Sequence, residues 1–245
     1  MTAEGRTDIG KVRSQNQDAF FISSDPIGPL PNLFVVADGM GGHNAGDIAS
    51  SYALECFCNH VKSVEALSEN ESALDVLVAA ASSANKLVLE RARSDNSLEG
   101  MGTTLTACVA EEKKCLFVHI GDSRAYYVTG KGISQITSDH TYVYEMIKAG
   151  QLTPELARTH PKRNVLTRVL GIDSRMQADG YVKETEQGGY VLLCSDGLTS
   201  MLSDKAIQTI VLSKASLEKK VSTLINRANE KGGTDNISIV LVKLD

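Results

Sequence analysis

The 245-residue sequence predicts one α+β domain. Two observations carry this. Strand-like stretches come in runs and do not alternate strictly with helices. Apolar residues make up 42% of the chain, enough for a sizeable core, while no repeat or linker divides it. With aromatics at only 5% and no Trp, Leu, Val, Ile and Ala must fill that core.

In chain order, 19–23 and 33–37 read as strands, separated by a loop that carries Pro26, Pro29 and Pro31. Residues 45–61 read as a helix, because Ile48/Ala49, Tyr52/Ala53, Cys56/Phe57 and Val61 line one face. A second helix covers 72–92. Strands are predicted at 103–110, 115–120, 124–129 and 133–136, with Gly130 and Gly132 as turn residues. Short helices follow at 142–149 and 154–157, the latter with Thr153 as cap and Pro154 in its first turn. Strands at 176–182 and 190–194 precede helices at 203–213 and 217–231. Gly232 and Gly233 close the second of these, and 237–244 is a final strand.

Bulk properties exclude several functions. The net charge is −5, without the basic footprint of a nucleic-acid binder or a patch for acidic lipid. The apolar runs are too short to span a bilayer, and residues 1–10 carry no apolar signal segment. Five cysteines, odd in number and without a C-x-x-C pair, predict reduced thiols in a cytoplasmic protein.

Four aspartates fall where predicted strands begin or end: Asp38, Asp122, Asp196 and Asp235. Singly, each fits ordinary turn chemistry, since Asp-Gly is a common hairpin dipeptide. Together they would repel one another unless cations neutralise them. Carboxylates, a backbone carbonyl and water suit hard Mg²⁺ or Mn²⁺, and no His or Cys pair falls at zinc spacing.

The segment R-S-Q-N-Q-D at 13–18 is followed by V-A-D-G-M-G-G at 36–42 and M-G-T-T at 101–104. Next come G-D-S-R at 121–124, S-D-H-T at 138–141, C-S-D-G-L at 194–198 and G-G-T-D-N at 232–236. As an ordered set across nearly the whole chain, these motifs resemble the metal-dependent protein phosphatases of the 2C type. Gln17 and Met40 stand where animal members usually have Glu and His, so the resemblance is to the bacterial serine/threonine branch. It implies a central sandwich of two antiparallel β-sheets flanked by α-helices, four layers in all. It further implies that Asp38 bridges two ions, that the Gly39 carbonyl binds one of them, and that Asp196 and Asp235 complete the first ion's ligands. Asp18 would hold water beside the ions. A third ion would use Asp122 with Asp196.

Two cations about 4 Å apart can lower the pKa of a water between them toward neutrality, for in-line attack on phosphorus. Arg13 is the candidate for the substrate phosphate, since a guanidinium matches two phosphate oxygens. His43 is a candidate proton donor to the leaving oxygen or, equally, a structural residue before its helix. His60, His119, His140 and Cys194 are expected to be structural. Residues 140–163, charged and punctuated by Gly150, Pro154 and Pro161, are expected to form a flap beside the site. The expected partners are phosphoprotein substrates and their kinases, for a monomeric enzyme.

Other phosphatase chemistries fail. The cysteine-based mechanism needs Arg six residues after Cys, but Ser200 follows Cys194 at that spacing. The G-D-x-H motif of the His-using metallophosphatases is broken by Ser123-Arg124, and kinase motifs are missing. A catalytically silent phosphatase-like binding module is the alternative, but it would be expected to lose metal carboxylates.

Overall fold

The structure, a computed structural model, describes residues 1–41, 45–69, 71–157 and 159–245. Its first half runs β1 (Thr2–Asp8), β2 (Asp18–Ser23), β3 (Leu33–Met40), α1 (Ala45–Ser63), α2 (Ala73–Ser94), β4 (Gly102–Thr103), β5 (Leu105–Ala110) and β6 (Lys114–Ile120). Then follow β7 (Arg124–Thr129), β8 (Gly132–Gln135), α3 (Tyr142–Lys148), α4 (Pro154–Ala157), β9 (Asp179–Glu184) and β10 (Tyr190–Cys194). The chain ends with α5 (Asp196–Thr199), α6 (Asp204–Val211), α7 (Leu217–Glu230) and β11 (Ile237–Lys243).

The strands build two antiparallel sheets. One has the order β1-β11-β10-β7-β8; the other has β2-β3-β5-β6-β9, with β4 added against β3. Alternation along each strand sends neighbouring side chains to opposite faces. In β3, Phe34 and Val36 join Val191, Leu193, Val240 and Val242 of the facing sheet to fill the central layer. Leu33 and Val35 point the other way, into α1 and α2. In β11, Ile237, Ile239 and Leu241 meet α5, α6 and α7. Both faces of each sheet are therefore covered, which is the four-layer arrangement implied by the resemblance.

The helices begin where their caps direct. Ser72 and Asp75 form a reciprocal capping box: Asp75 N–H donates to Ser72 Oγ (3.3 Å), and Ser72 N–H donates to Asp75 Oδ2 (2.8 Å). Thr141 caps α3 and Ser216 caps α7 in the one-sided form.

The structure differs from the expected elements at four places. β1 has no counterpart among them, because T-A-E-G-R-T-D lacks apolar alternation; it is an edge strand held by its backbone register with β11. The strand expected from Met176 begins at Asp179. Met176 and Ala178 are apolar because they pack on the α1/α2 core, not because they join a ladder. β3 continues through Asp38 to Met40, pairing Gly39 with Thr103, so Asp38 lies inside a strand rather than at its end. Asp196 opens a short helix, α5. No helix among the described residues is long and apolar enough to cross a membrane.

Candidate metal centre

Antiparallel pairing brings the acidic residues together. Asp38 lies near the end of β3, and Asp18, at the start of β2, is its cross-strand partner. The β6–β7 connection carries Asp122 across the same edge of the sandwich, from one sheet to the other. Asp196 follows β10, and Asp235 precedes the antiparallel β11. All five are partly exposed, so they line an open recess.

Hydrogen bonds fix the backbone of Asp38, the turn beside Asp122, and the carboxylates of Asp18 and Asp235. Asp38 N–H donates to Thr104 Oγ1 (2.9 Å), while Asp38 O accepts from Thr104 N–H and Thr103 Oγ1 (2.9 Å each). Thr104 Oγ1 in turn meets Ser123 Oγ at 2.8 Å, one residue beyond Asp122. Ser195 Oγ donates to Asp18 Oδ2 (2.7 Å) and accepts from Ser238 N–H (2.9 Å). Asn236 is the hub of the far wall. Its Nδ2 donates to Ile9 O and Gln15 O (2.9 Å each), its Oδ1 accepts from Gln17 N–H (2.8 Å), and its own N–H donates to Asp235 Oδ1 (2.9 Å).

Two glycines make this closeness feasible. A Cβ on Gly39 would stand 2.0 Å from Gly46 O, and one on Gly197 would stand 2.0 Å from Asn236 O. Neither space admits any other residue.

The acids disturb one another strongly. Burial, then the charges of Asp18, Asp196, Asp122 and Asp235, holds the Asp38 carboxyl well above its ordinary range. Burial pushes Asp18 up to about 7 against the pull of its Ser195 bond. Burial and Asp196 push Asp122 up to about 8, and burial and Asp235 push Asp196 up to about 6. Arg124, forked onto Asp139 (Nε to Oδ1 2.9 Å), opposes these shifts at Asp122 and Asp196 without cancelling them.

The donors fit Mn²⁺ or Mg²⁺. Their carboxylates are hard oxygens, they are electrostatically unsettled without cations, and Asp18 Oδ1 is buried with no hydrogen-bond partner. Among the described residues, no three acidic, His or Cys side chains close on one point as a ready chelate.

Arg13 reaches this cluster, with its Nη2 2.7 Å from Asp235 Oδ2, and its side chain is half exposed at the recess mouth. Bonding to Asp235 raises its pKa, so it stays cationic. His43 lies outside the described residues. His119 and His140 are buried with rings 4.8 Å apart. Burial and the neighbouring His140 drive the His119 pKa down to about 3, and burial and Arg168 lower that of His140. All five cysteines are free and buried. The residues not singled out beforehand are Thr104, Ser123, Ser195 and Asn236. Each sits inside a motif string, and Ser123, Ser195 and Asn236 adjoin an aspartate, which is the available signal.

The family profile described as Protein phosphatase 2C matches residues 9–241. The serine/threonine phosphatase stp of Listeria monocytogenes is 37% identical over 247 residues, spanning 100% of this chain and 96% of the relative. A serine/threonine phosphatase structure from S. agalactiae superposes with a TM-score of 0.91 at 36% identity, with 100% of both chains covered. The catalytic domain of the serine/threonine protein phosphatase PstP, solved in complex with two manganese ions, gives 0.84 at 31% identity, covering 100% of this chain and 98% of that one.

Proposed function

The chain belongs to the protein phosphatase 2C family and is a bacterial-type, metal-dependent serine/threonine protein phosphatase, and we propose that the aspartate recess is its active site. Asp38 would be a ligand common to two Mn²⁺ or Mg²⁺ ions. The Gly39 carbonyl, Asp196 and Asp235 would supply further ligands, and Asp122 with Asp196 would hold a third ion. The observation that carries this reading is the convergence of Asp18, Asp38, Asp122, Asp196 and Asp235 on one sandwich edge, where burial and then their neighbours' charges hold the first four carboxyls above their ordinary range.

Bound there, the cations supply Lewis-acid charge that lowers the pKa of water and offsets charge on the phosphoryl oxygens. The chain's own residues do the rest. Asp18, steadied by Ser195, orients water. Arg13 swings from Asp235 to clasp the substrate phosphate in a two-pronged grip. His43 is the candidate proton donor to the departing seryl or threonyl oxygen. Asn236 ties the loop that carries Arg13 to the segment that carries Asp235, just before β11.

The enzyme acts on phosphoproteins, opposite serine/threonine kinases. We place it in the cytoplasm as a monomeric catalytic domain, with residues 140–163 as a flap beside the recess. Turnover of a phosphothreonine peptide with Mn²⁺, with Mg²⁺ and with chelator tests the site. Turnover should depend on added ion and vanish on chelation. Full turnover by metal-stripped enzyme in chelator would refute the assignment.

A further inference from the structure

Arg13 is a long, half-exposed side chain, so where its guanidinium can reach depends on the loop beneath it. That loop, residues 9–15, is held at both ends by one nitrogen. Asn236 Nδ2 donates to Ile9 O and to Gln15 O, at 2.9 Å each. Its middle is held separately, where Lys11 N–H donates to Gly233 O (2.7 Å). Gly10 makes that approach possible. Its φ is +79°, and a Cβ there would stand 2.3 Å from Asp235 O.

Two side chains outside every motif string complete the anchorage. Asp8 ends β1, and Asn229 lies in the last turn of α7. Asp8 Oδ1 accepts from Gly10 N–H (2.9 Å) and from Asn229 Nδ2 (3.0 Å). One carboxylate oxygen therefore joins the first turn of the loop to the helix. Arg6 Nη1 donates to Ser222 Oγ (2.9 Å), which ties β1 to the same helix. Gly233 closes the far side, since a Cβ there would stand 2.3 Å from Asn229 Oδ1 and 3.1 Å from Lys11 N.

We propose that Asp8 and Asn229 are positioning residues for Arg13, fastening the 9–15 loop to α7 so that the guanidinium meets the substrate phosphate from a fixed base. This rests on Arg13 being the group that binds the phosphate. A loop already ordered in the free enzyme need not be ordered when substrate arrives, so its fastening appears as affinity. The hydrogen bonds of Asp8 and Asn229 go to the loop and to each other, not to the recess aspartates. Their loss should therefore act on phosphate binding and spare the ions.

The test is steady-state kinetics on a phosphothreonine peptide, with inorganic phosphate as competitor. The wild type is compared with Asp8→Ala, Asn229→Ala, Arg13→Ala and the Asp8→Ala/Arg13→Ala double variant. Calorimetric Mn²⁺ titration and hydrogen exchange at the Lys11 amide accompany the kinetics. Asp8→Ala should raise KM and the inhibition constant of phosphate by roughly three- to tenfold, the scale of one or two lost hydrogen bonds. It should leave kcat and Mn²⁺ affinity nearly unchanged and quicken Lys11 exchange. Asn229→Ala should act in the same direction, and Asp8→Asn, which keeps an acceptor for Gly10, should recover part of each effect. The double variant should match Arg13→Ala alone. Full additivity in the double variant, weakened Mn²⁺ binding in Asp8→Ala, or unaltered Lys11 exchange would overturn the positioning role. If Arg13→Ala leaves KM and phosphate inhibition intact, the phosphate reading fails on its own, and unaltered Lys11 exchange then overturns the fastening separately. Should Asp8→Ala not fold, Asn229→Ala carries the same comparison.

Discussion

Raising the pH of chelator-treated protein from about 5 to about 8 should weaken the fold through Asp18. Its folded pKa of about 7 lies above the ordinary 3.8, so the folded state keeps the proton that the unfolded chain releases. Between those values the folded state binds more protons, and stability must fall as pH rises. From pH 5 to 7 this amounts to about 3 kcal/mol at roughly 1.4 kcal/mol per pH unit. The carboxyl lines an open recess, so screening leaves about half, on the order of 1.5 kcal/mol. His119 acts in the opposite sense. Its folded pKa of about 3 lies below the ordinary 6.5, so its contribution is lost as pH falls through 6.5. Comparison with Asp18→Asn removes that background. Urea denaturation in chelator should show the variant gaining on the wild type by about 1.5 kcal/mol from pH 5 to 8. Saturating Mn²⁺ should abolish the gain. A difference that stays flat, or moves the other way, would refute the picture of an uncompensated carboxylate cluster.

Asp38→Asn should nearly abolish turnover while the chain stays folded, as read from phosphopeptide kinetics beside circular dichroism; near-wild-type kcat would remove Asp38 from its role. Arg13→Ala should cost roughly 1–3 kcal/mol in kcat/KM, mainly through KM, and unchanged kinetics would leave Arg13 as a partner of Asp235 alone. Gly197→Ala forces a methyl against Asn236 O and should cost about 1–3 kcal/mol of stability along with Mn²⁺ affinity, checked by melting and calorimetry. Replacing residues 143–163 of the proposed flap, with His140 kept in place, should change phosphopeptide preference and spare small-ester hydrolysis; an equal effect on both would make it a structural support.

Much of the site was legible because its chemistry is written in short strings. Asp38, Asp122, Asp196 and Asp235 each adjoin an apolar strand, and mutual repulsion makes such a set informative where one Asp-Gly is not. The helices were legible because α1 and α2 show one apolar face to the sheet. Pairing partners were hidden. β1 is stabilised by backbone bonds to β11 and carries almost no side-chain signal. The work of Ser195 and Asn236 depends on contacts 177 and more than 200 residues away, which no local pattern encodes. The tie between Arg13 and Asp235, 222 residues apart, was equally out of view. His140 looked like loop packing. Its burial fits that reading, but its two ring bonds, to Gly121 and Asp179, also tie the β6–β7 turn that carries Asp122 to the start of β9.

Anomalous diffraction from crystals grown with Mn²⁺ tests the metal assignment most directly. Two peaks should share Asp38, with Asp196 and Asp235 against one of them, and a third, weaker peak should lie between Asp122 and Asp196. Manganese bound elsewhere, with no peak in coordinating reach of Asp38, would contradict the assignment.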